Sequence, residues 1–367
     1  MPEATRSGHK QFILPSKSIN PRLQHRSLAR SLSAADLFAE LQSEHHRRPL
    51  GRAITLLEST QADDRRLADE LVDMALNTQP PRPTFRLGIS GTPGVGKSTF
   101  IEHFGQRIAD EGHRLAVLAI DPSSSLSGGS ILGDKTRMEK LTRHPNVFIR
   151  PSPTGGHLGG VGAASRAAVL LCEAAGYDYI IVETVGVGQA EWQVHGMTDA
   201  FLLMAQPGAG DDLQGIKRGI LELADLIAVN KTDRLPEAAK QTALELRRGL
   251  HLAPARPDGW AVPILSVSAM TGESLGTVHE KLKEYRKKMQ TAGHAAARRE
   301  AQRIAWLQDH AEHRLLTGFR EFLHAEGRTT DELRRILDEQ SSLSNASRVI
   351  LAKFYQSQYS ENKKTKP

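Results

Sequence analysis

Eight residues, GTPGVGKS from Gly91 to Ser98, carry the most specific chemistry in the chain. Gly91, Gly94 and Gly96 allow backbone N–H groups to turn inward around a phosphate chain, and a helix starting beneath them adds the positive end of its dipole. Lys97 is placed to reach the β- and γ-phosphates, and Ser98 to ligate Mg²⁺. Such a pattern has this meaning only between a strand and a helix. Both flanks are present: the apolar run Phe85–Ser90 leads in, and Phe100, Ile101 and Phe104 follow at helical spacing. The expected phosphate contacts are Gly91, Pro93, Gly94, Val95, Gly96, Lys97, Ser98 and Thr99.

A second constellation can read a base. Asn230-Lys231-Thr232-Asp233 follows the apolar run Leu226–Val229. The Asp233 carboxylate can accept from the N1–H and the exocyclic amine of guanine together. Adenine lacks that donor pair and would leave the carboxylate unpaired, so the motif favours GTP over ATP. Lys231 can lie over the base and brace the phosphate loop. Ser268-Ala269-Met270, again after a strand, resembles the second guanine-contacting loop of GTPases.

Carboxylates at other strand ends complete the set. Asp121 and Glu183 each end an apolar run, and Asp134 lies in GGSILGDKTRM. Hard oxygen donors around a phosphate loop suit Mg²⁺, directly or through water. Glu183-Thr-Val-Gly186 stands where Ras-like GTPases carry DxxG, so Gly186 is the expected γ-phosphate sensor. The position of the water-orienting glutamine is taken by Val187, which can neither donate to nor accept from water, with Gln189 two residues on. Slow intrinsic hydrolysis, accelerated by a partner, is the expectation.

These residues need a scaffold. Apolar runs at Phe85–Ser90, Leu115–Ile120, Val147–Arg150, Tyr179–Glu183, Ala200–Ala205, Leu226–Asn230 and Ile264–Val267 alternate with helical patterns, as in βαβ units around a mostly parallel sheet. Helices are expected after the phosphate loop and over Ala163–Ala175, Leu213–Leu223, Glu237–Leu250 and Leu275–Met289. The functional loops then all follow strand C-termini, where open α/β sheets bind ligands. Residues 1–45 read as a poorly ordered N-terminal extension. Residues 46–83 read as a helical segment ending in the linker TQPPRP, 84–291 as the nucleotide domain, and 292–367 as a helical C-terminal extension.

Composition excludes several classes. The 367 residues hold one cysteine, Cys172, in an apolar stretch, so neither an internal disulfide nor a cysteine metal cage is possible and a small buried hydrophobe is expected. No apolar run approaches the ~20 residues of a membrane span. The net charge of +6 lies mostly in the two ends and is not interleaved with aromatics, so solvated tails are expected rather than nucleic-acid binding. The expected location is cytoplasmic, or the mitochondrial matrix if the acid-poor segment from Ala4 to Ala35 is a transit peptide.

Longer motifs add a resemblance. GTPGVGKS, DPSSS with GGSILGDKTRM, HLGGVG, LLCEAAGYD, ETVGVGQAE and GAGDDLQGIKRGILELADLIAVNKTD together resemble the MeaB/ArgK family of P-loop GTPases, from Gly51 to about Met289. The resemblance implies a SIMIBI-type G domain with GTP/GDP and Mg²⁺ as cofactors. It further implies a chaperone of an adenosylcobalamin-dependent acyl-CoA mutase, above all methylmalonyl-CoA mutase, which gates cofactor loading and protects or reactivates the mutase. It implies a homodimer through the C-terminal helices. Asp121, Asp134 and Glu183 become Mg²⁺ and switch residues, and Lys217 lies in a switch segment that couples nucleotide state to the mutase. Ala190 stands where relatives commonly carry Ser.

Two other classes share the phosphate loop. A nickel-insertion metallochaperone should carry a His- or Cys-rich tract, whereas this chain has one cysteine and the isolated pair His45-His46. An ATP-dependent small-molecule kinase is opposed by NKTD.

Overall fold

Seven nearly uninterrupted apolar runs become the strands of one sheet: β1 (Phe85–Gly91), β2 (Leu115–Ile120), β3 (Val147–Arg150), β4 (Tyr179–Thr184), β5 (Ala200–Ala205), β6 (Leu226–Val229) and β7 (Ile264–Ser266). The computed structural model describes residues 33–364 apart from 45, 60, 121–137, 152–160, 185–189, 209–217, 253, 325–329 and 341. The strand order is β3-β2-β4-β1-β5-β6-β7 and every pairing is parallel. Parallel strands need crossovers on the sheet faces, which explains why both faces are covered and the strands are apolar throughout.

Alternate residues of each strand feed two cores. One face takes Ala116, Leu118, Ile180 and Val182 and is covered by α1 (Ala34–Leu41), α2 (Arg47–Leu57), α3 (Ala62–Leu76), α6 (Val161–Ala174), α7 (Ala190–His195), α8 (Arg218–Leu223) and α9 (Pro236–His251). The other takes Leu87, Ile89, Val117 and Ile181 and is covered by α4 (Lys97–Asp110), α5 (Glu139–Arg143) and α10 (Leu275–Thr291). Cys172 is fully buried in the first core, where burial pushes its thiol far above the ordinary range. The long α11 (His294–His324), α12 (Thr330–Gln340) and α13 (Leu343–Lys364) follow. Phe319, Phe322 and Phe354 cluster there, with ring centroids 5.3 to 6.3 Å apart.

The helical lead-in starts earlier than the sequence reading placed it. Helix α1 lies inside the segment read as a loose extension: the Ser33 hydroxyl accepts from Asp36 N–H at 3.1 Å, and Leu37, Phe38 and Leu41 are buried. An N-cap with three apolar side chains on one face suffices when a neighbouring core receives them. Short helices α5 and α7 also went unread.

The N-terminal edge of the sheet is held by carboxylates. Asp178, Asp199 and Asp225 immediately precede β4, β5 and β6, and they accept from the backbone N–H of Arg114, Arg86 and Phe201 at 2.8, 2.8 and 2.9 Å. Arginines complete these sites: Arg299 is bidentate on Asp199 at 2.6 and 2.7 Å, and Arg256 and Arg298 both reach Asp225. Two of these arginines belong to α11, so the C-terminal helix is rooted in the sheet.

Candidate nucleotide site

The register brings the chemistry to the opposite edge. Glu183 pairs with Ile89 on one side and Ala119 on the other, and Gly91 pairs with Met204. The ends of β1, β2, β4 and β5 therefore lie side by side beneath the phosphate loop. Val95 is buried while Pro93 and Gly94 are exposed, so the loop is anchored from within and open on its outer side. Gly96 adopts φ +102° as the residue before α4.

Lys97 opens α4 and is only 8% exposed. Its ammonium donates to the Gly91 carbonyl at 2.6 Å and more weakly to that of Thr92 at 3.4 Å. Burial draws it below the ordinary lysine range, while the charges of Glu183 and Glu191 oppose that shift. A cation kept near two buried carboxylates and facing the loop interior can meet a phosphate without reorganising. Behind it, Thr184 Oγ1 donates to Ser90 Oγ at 2.9 Å, both buried. Ser98 and Thr99, in the first turn of α4, are half-buried. Ser98 offers a hydroxyl and Glu183 a buried carboxylate, oxygen donors of the hard kind that could hold Mg²⁺. Asp121, Asp134, Gly186, Val187, Gln189 and Lys217 lie outside the described residues.

The base loops are tied to the phosphate loop through Asn230. Its Nδ2 donates to the Val95 carbonyl at 2.8 Å and its Oδ1 accepts from Ala269 N–H at 2.8 Å. A Cβ on Gly96 would sit 2.5 Å from that Nδ2, so the close approach requires glycine. Asp233 accepts from the buried Ser268 hydroxyl at 2.7 Å, which orients the carboxylate. Met270 is 59% exposed beside it. Lys231 Nζ donates to Gln206 Oε1 at 3.0 Å just after β5, while Asn230 links the base motif to the phosphate loop. Lys231 has φ +64°, a left-handed backbone conformation in which the side chain leaves in another direction.

Sequence reasoning missed three residues. Glu191, on α7, is fully buried and acts on Lys97 through its charge. It sits in ETVGVGQAE, yet only the fold brings it near the lysine. Gln206 and His103 are distant in sequence from the groups they hold and carry no motif.

A strand–loop–helix phosphate cradle at the C-terminal edge of an all-parallel sheet, with an Asn-Lys-Thr-Asp loop fastened to it, defines a P-loop NTPase of the GTP-binding class. The chain belongs to the family described as methylmalonyl Co-A mutase-associated GTPase MeaB, whose family model matches residues 50–322. It is a GTPase. A putative GTPase of Caulobacter vibrioides is 50% identical over 279 residues, covering 75% of this chain and 83% of the relative. The methylmalonic aciduria type A homolog, mitochondrial, of Mus musculus is 45% identical over 280 residues, covering 74% and 68%. A crystal structure of a LAO/AO transport system kinase superimposes with a TM-score of 0.64 at 32% identity, covering 88% of this chain and 97% of that one.

Proposed function

We propose that this GTPase is the G-protein chaperone of an adenosylcobalamin-dependent acyl-CoA mutase, with methylmalonyl-CoA mutase as the first candidate client. The observation that carries the reading is the family match over residues 50–322, which spans the whole nucleotide site. In this reading the phosphate loop and Lys97 hold the nucleotide, and Asp233 with the Ser268–Met270 loop reads guanine. Ser98, Glu183, Asp121 and Asp134 supply the oxygens for Mg²⁺, whose chemistry is to neutralise charge developing on the phosphates. Gly186 senses the γ-phosphate, and Lys217 couples the nucleotide state to the client.

Burial lowers the Lys97 pKa and the charges of Glu183 and Glu191 oppose that shift, while the Nζ already faces the loop where phosphate charge would arrive. Nothing in Val187 can orient the attacking water, so turnover in the isolated protein is slow and the client, by reshaping the switch segments, raises it. The reading includes a homodimer through the C-terminal helices, where Leu315, Leu316, Leu343 and Tyr355 are exposed apolar groups.

The test is GTP hydrolysis by the purified protein alone and with purified methylmalonyl-, isobutyryl- or ethylmalonyl-CoA mutase, with and without adenosylcobalamin. One mutase should raise kcat and lose activity more slowly during turnover when GTP is present. Hydrolysis indifferent to all of them, with no protection of any, would remove the proposal.

A further inference from the structure

We infer that His103 is a positioning residue for guanine-nucleotide binding, holding the Ser268–Met270 loop at a fixed distance from the phosphate-binding helix. Its Nδ1 hydrogen bonds to the Ala269 carbonyl across 166 residues of sequence. Since a carbonyl only accepts, Nδ1 must carry the hydrogen and donate it.

The contact closes a ring. The Val95 carbonyl accepts from Asn230, Asn230 accepts from Ala269 N–H, the Ala269 carbonyl accepts from His103, and α4 returns from His103 to Lys97 and the phosphate loop. Ala269 is thus gripped on both sides of its residue, through N–H by the base motif and through C=O by α4. Three links of the ring are the motifs that any reading of the sequence finds. The fourth, His103, has no motif, and it is the link that fastens the loop to α4.

His103 is on the second turn of α4, on the helix that begins with the phosphate-binding Lys97. The distance between phosphate and base is a property of the nucleotide, and a site that holds its two ends at that distance beforehand loses less freedom on binding. The base loop faces the same guanine in the ground state and during hydrolysis, so the His103 contribution is uniform binding. It belongs in Kd and KM and not in kcat.

The experiment uses the full-length protein and compares His103→Ala, His103→Asn and His103→Gln. Asn places an N–H donor one bond beyond Cγ, at the position of the imidazole Nδ1, whereas Gln places it one bond too far. His103→Ala should raise Kd for GDP and KM for GTP by about three- to tenfold, the weight of one net hydrogen bond, with kcat at saturating GTP within about twofold of the parent. His103→Asn should recover most of the affinity and His103→Gln little of it. Thermal unfolding of each variant without nucleotide separates a positioning role from a general loss of folding.

Three results would each overturn the inference: an unchanged Kd in His103→Ala, a fall in kcat as large as the rise in KM, or equal affinity in the Asn and Gln variants. If His103→Ala does not fold, the Asn and Gln pair decides alone, because both keep a polar side chain of related size. The parent protein hydrolysing GTP in the same assay keeps this test independent of which mutase, if any, is the client.

Discussion

Replacing Gly96 by alanine isolates how the phosphate and base loops depend on one another. Two costs arise at this position. An L-residue at φ +102° leaves its preferred backbone region, at about 1–2 kcal/mol. The new methyl group would also lie 2.5 Å from Asn230 Nδ2, so Asn230 must move and its 2.8 Å bond to the Val95 carbonyl is lost in a buried setting, at about 1–3 kcal/mol. Gly94 supplies the control. Its φ is +77°, but nothing lies within 4 Å of a Cβ there, so Gly94→Ala carries only the backbone cost. Urea unfolding without nucleotide should therefore place Gly96→Ala below Gly94→Ala by about 1–3 kcal/mol. Where the strain is relieved by a local loop shift rather than by global unfolding, the same difference appears as weaker GDP binding, so both are measured. Equal unfolding midpoints together with equal GDP affinities in the two variants would refute the argument that Asn230 locks the loops through Gly96.

Asp233→Asn should weaken GDP binding by about 10- to 100-fold, the loss of charge-assisted hydrogen bonds to the base, as read by calorimetric titration; unchanged affinity would mean that another group reads guanine. Arg299→Met leaves the Asp199 carboxylate without its bidentate partner and should cost about 3 kcal/mol, the low end for a broken buried pair because Arg299 is a third exposed. The Arg299 guanidinium holds Asp199 below the usual carboxylate range despite its burial, so the parent's advantage is present above the ordinary carboxylate value of 3.8 and is lost as pH falls through the lower folded value. Urea midpoints of parent and variant should therefore converge as the pH falls below 3.8, and a gap that stays constant over that descent would contradict the ion pair as its source. Burial, reinforced by Arg298, pushes His195 down to about 4 from 6.5. The unfolded chain then binds the extra proton between those values, so stability should rise with pH from about 4 to 6.5, and His195→Gln should flatten that part of the profile.

The sheet was legible because buried parallel strands are written as continuous apolar runs, and all seven runs became strands with ends shifted by no more than a residue or so. The phosphate and base motifs were legible for a related reason, since each occupies consecutive residues. What escaped was held by single residues far apart. Asp178, Asp199 and Asp225 each precede an apolar run, which in sequence looks like an ordinary turn acid; their shared work as acceptors for the neighbouring strand appears only with the register. Helix α1 was hidden by its setting. Ser33 and the triad of Leu37, Phe38 and Leu41 follow a long acid-poor stretch, and the core that accepts them is built from α2 and α3. The Asn230 bond to the Val95 carbonyl joins two motifs 135 residues apart, a contact that no spacing rule announces.

One short segment, α7 and the three residues after it, touches both the nucleotide side of the sheet and the C-terminal helices. Glu191, on its first turn, reaches the nucleotide edge through its charge on Lys97. At the end of that helix and three residues beyond it, the carbonyls of His195 and Thr198 accept from Gln302 Nε2 of α11 at 3.2 and 2.9 Å. Between them Val194 packs so closely on β1 that a Cβ at Gly88 would lie 2.7 Å from its side chain. On the α11 side, Arg298 and Arg299 fix the root of that helix to Asp225 and Asp199, three to four residues away from Gln302. Residues 190–198 therefore meet the nucleotide edge through the Glu191 charge and the C-terminal helices through the carbonyls of His195 and Thr198, with Val194 seated on β1 between them.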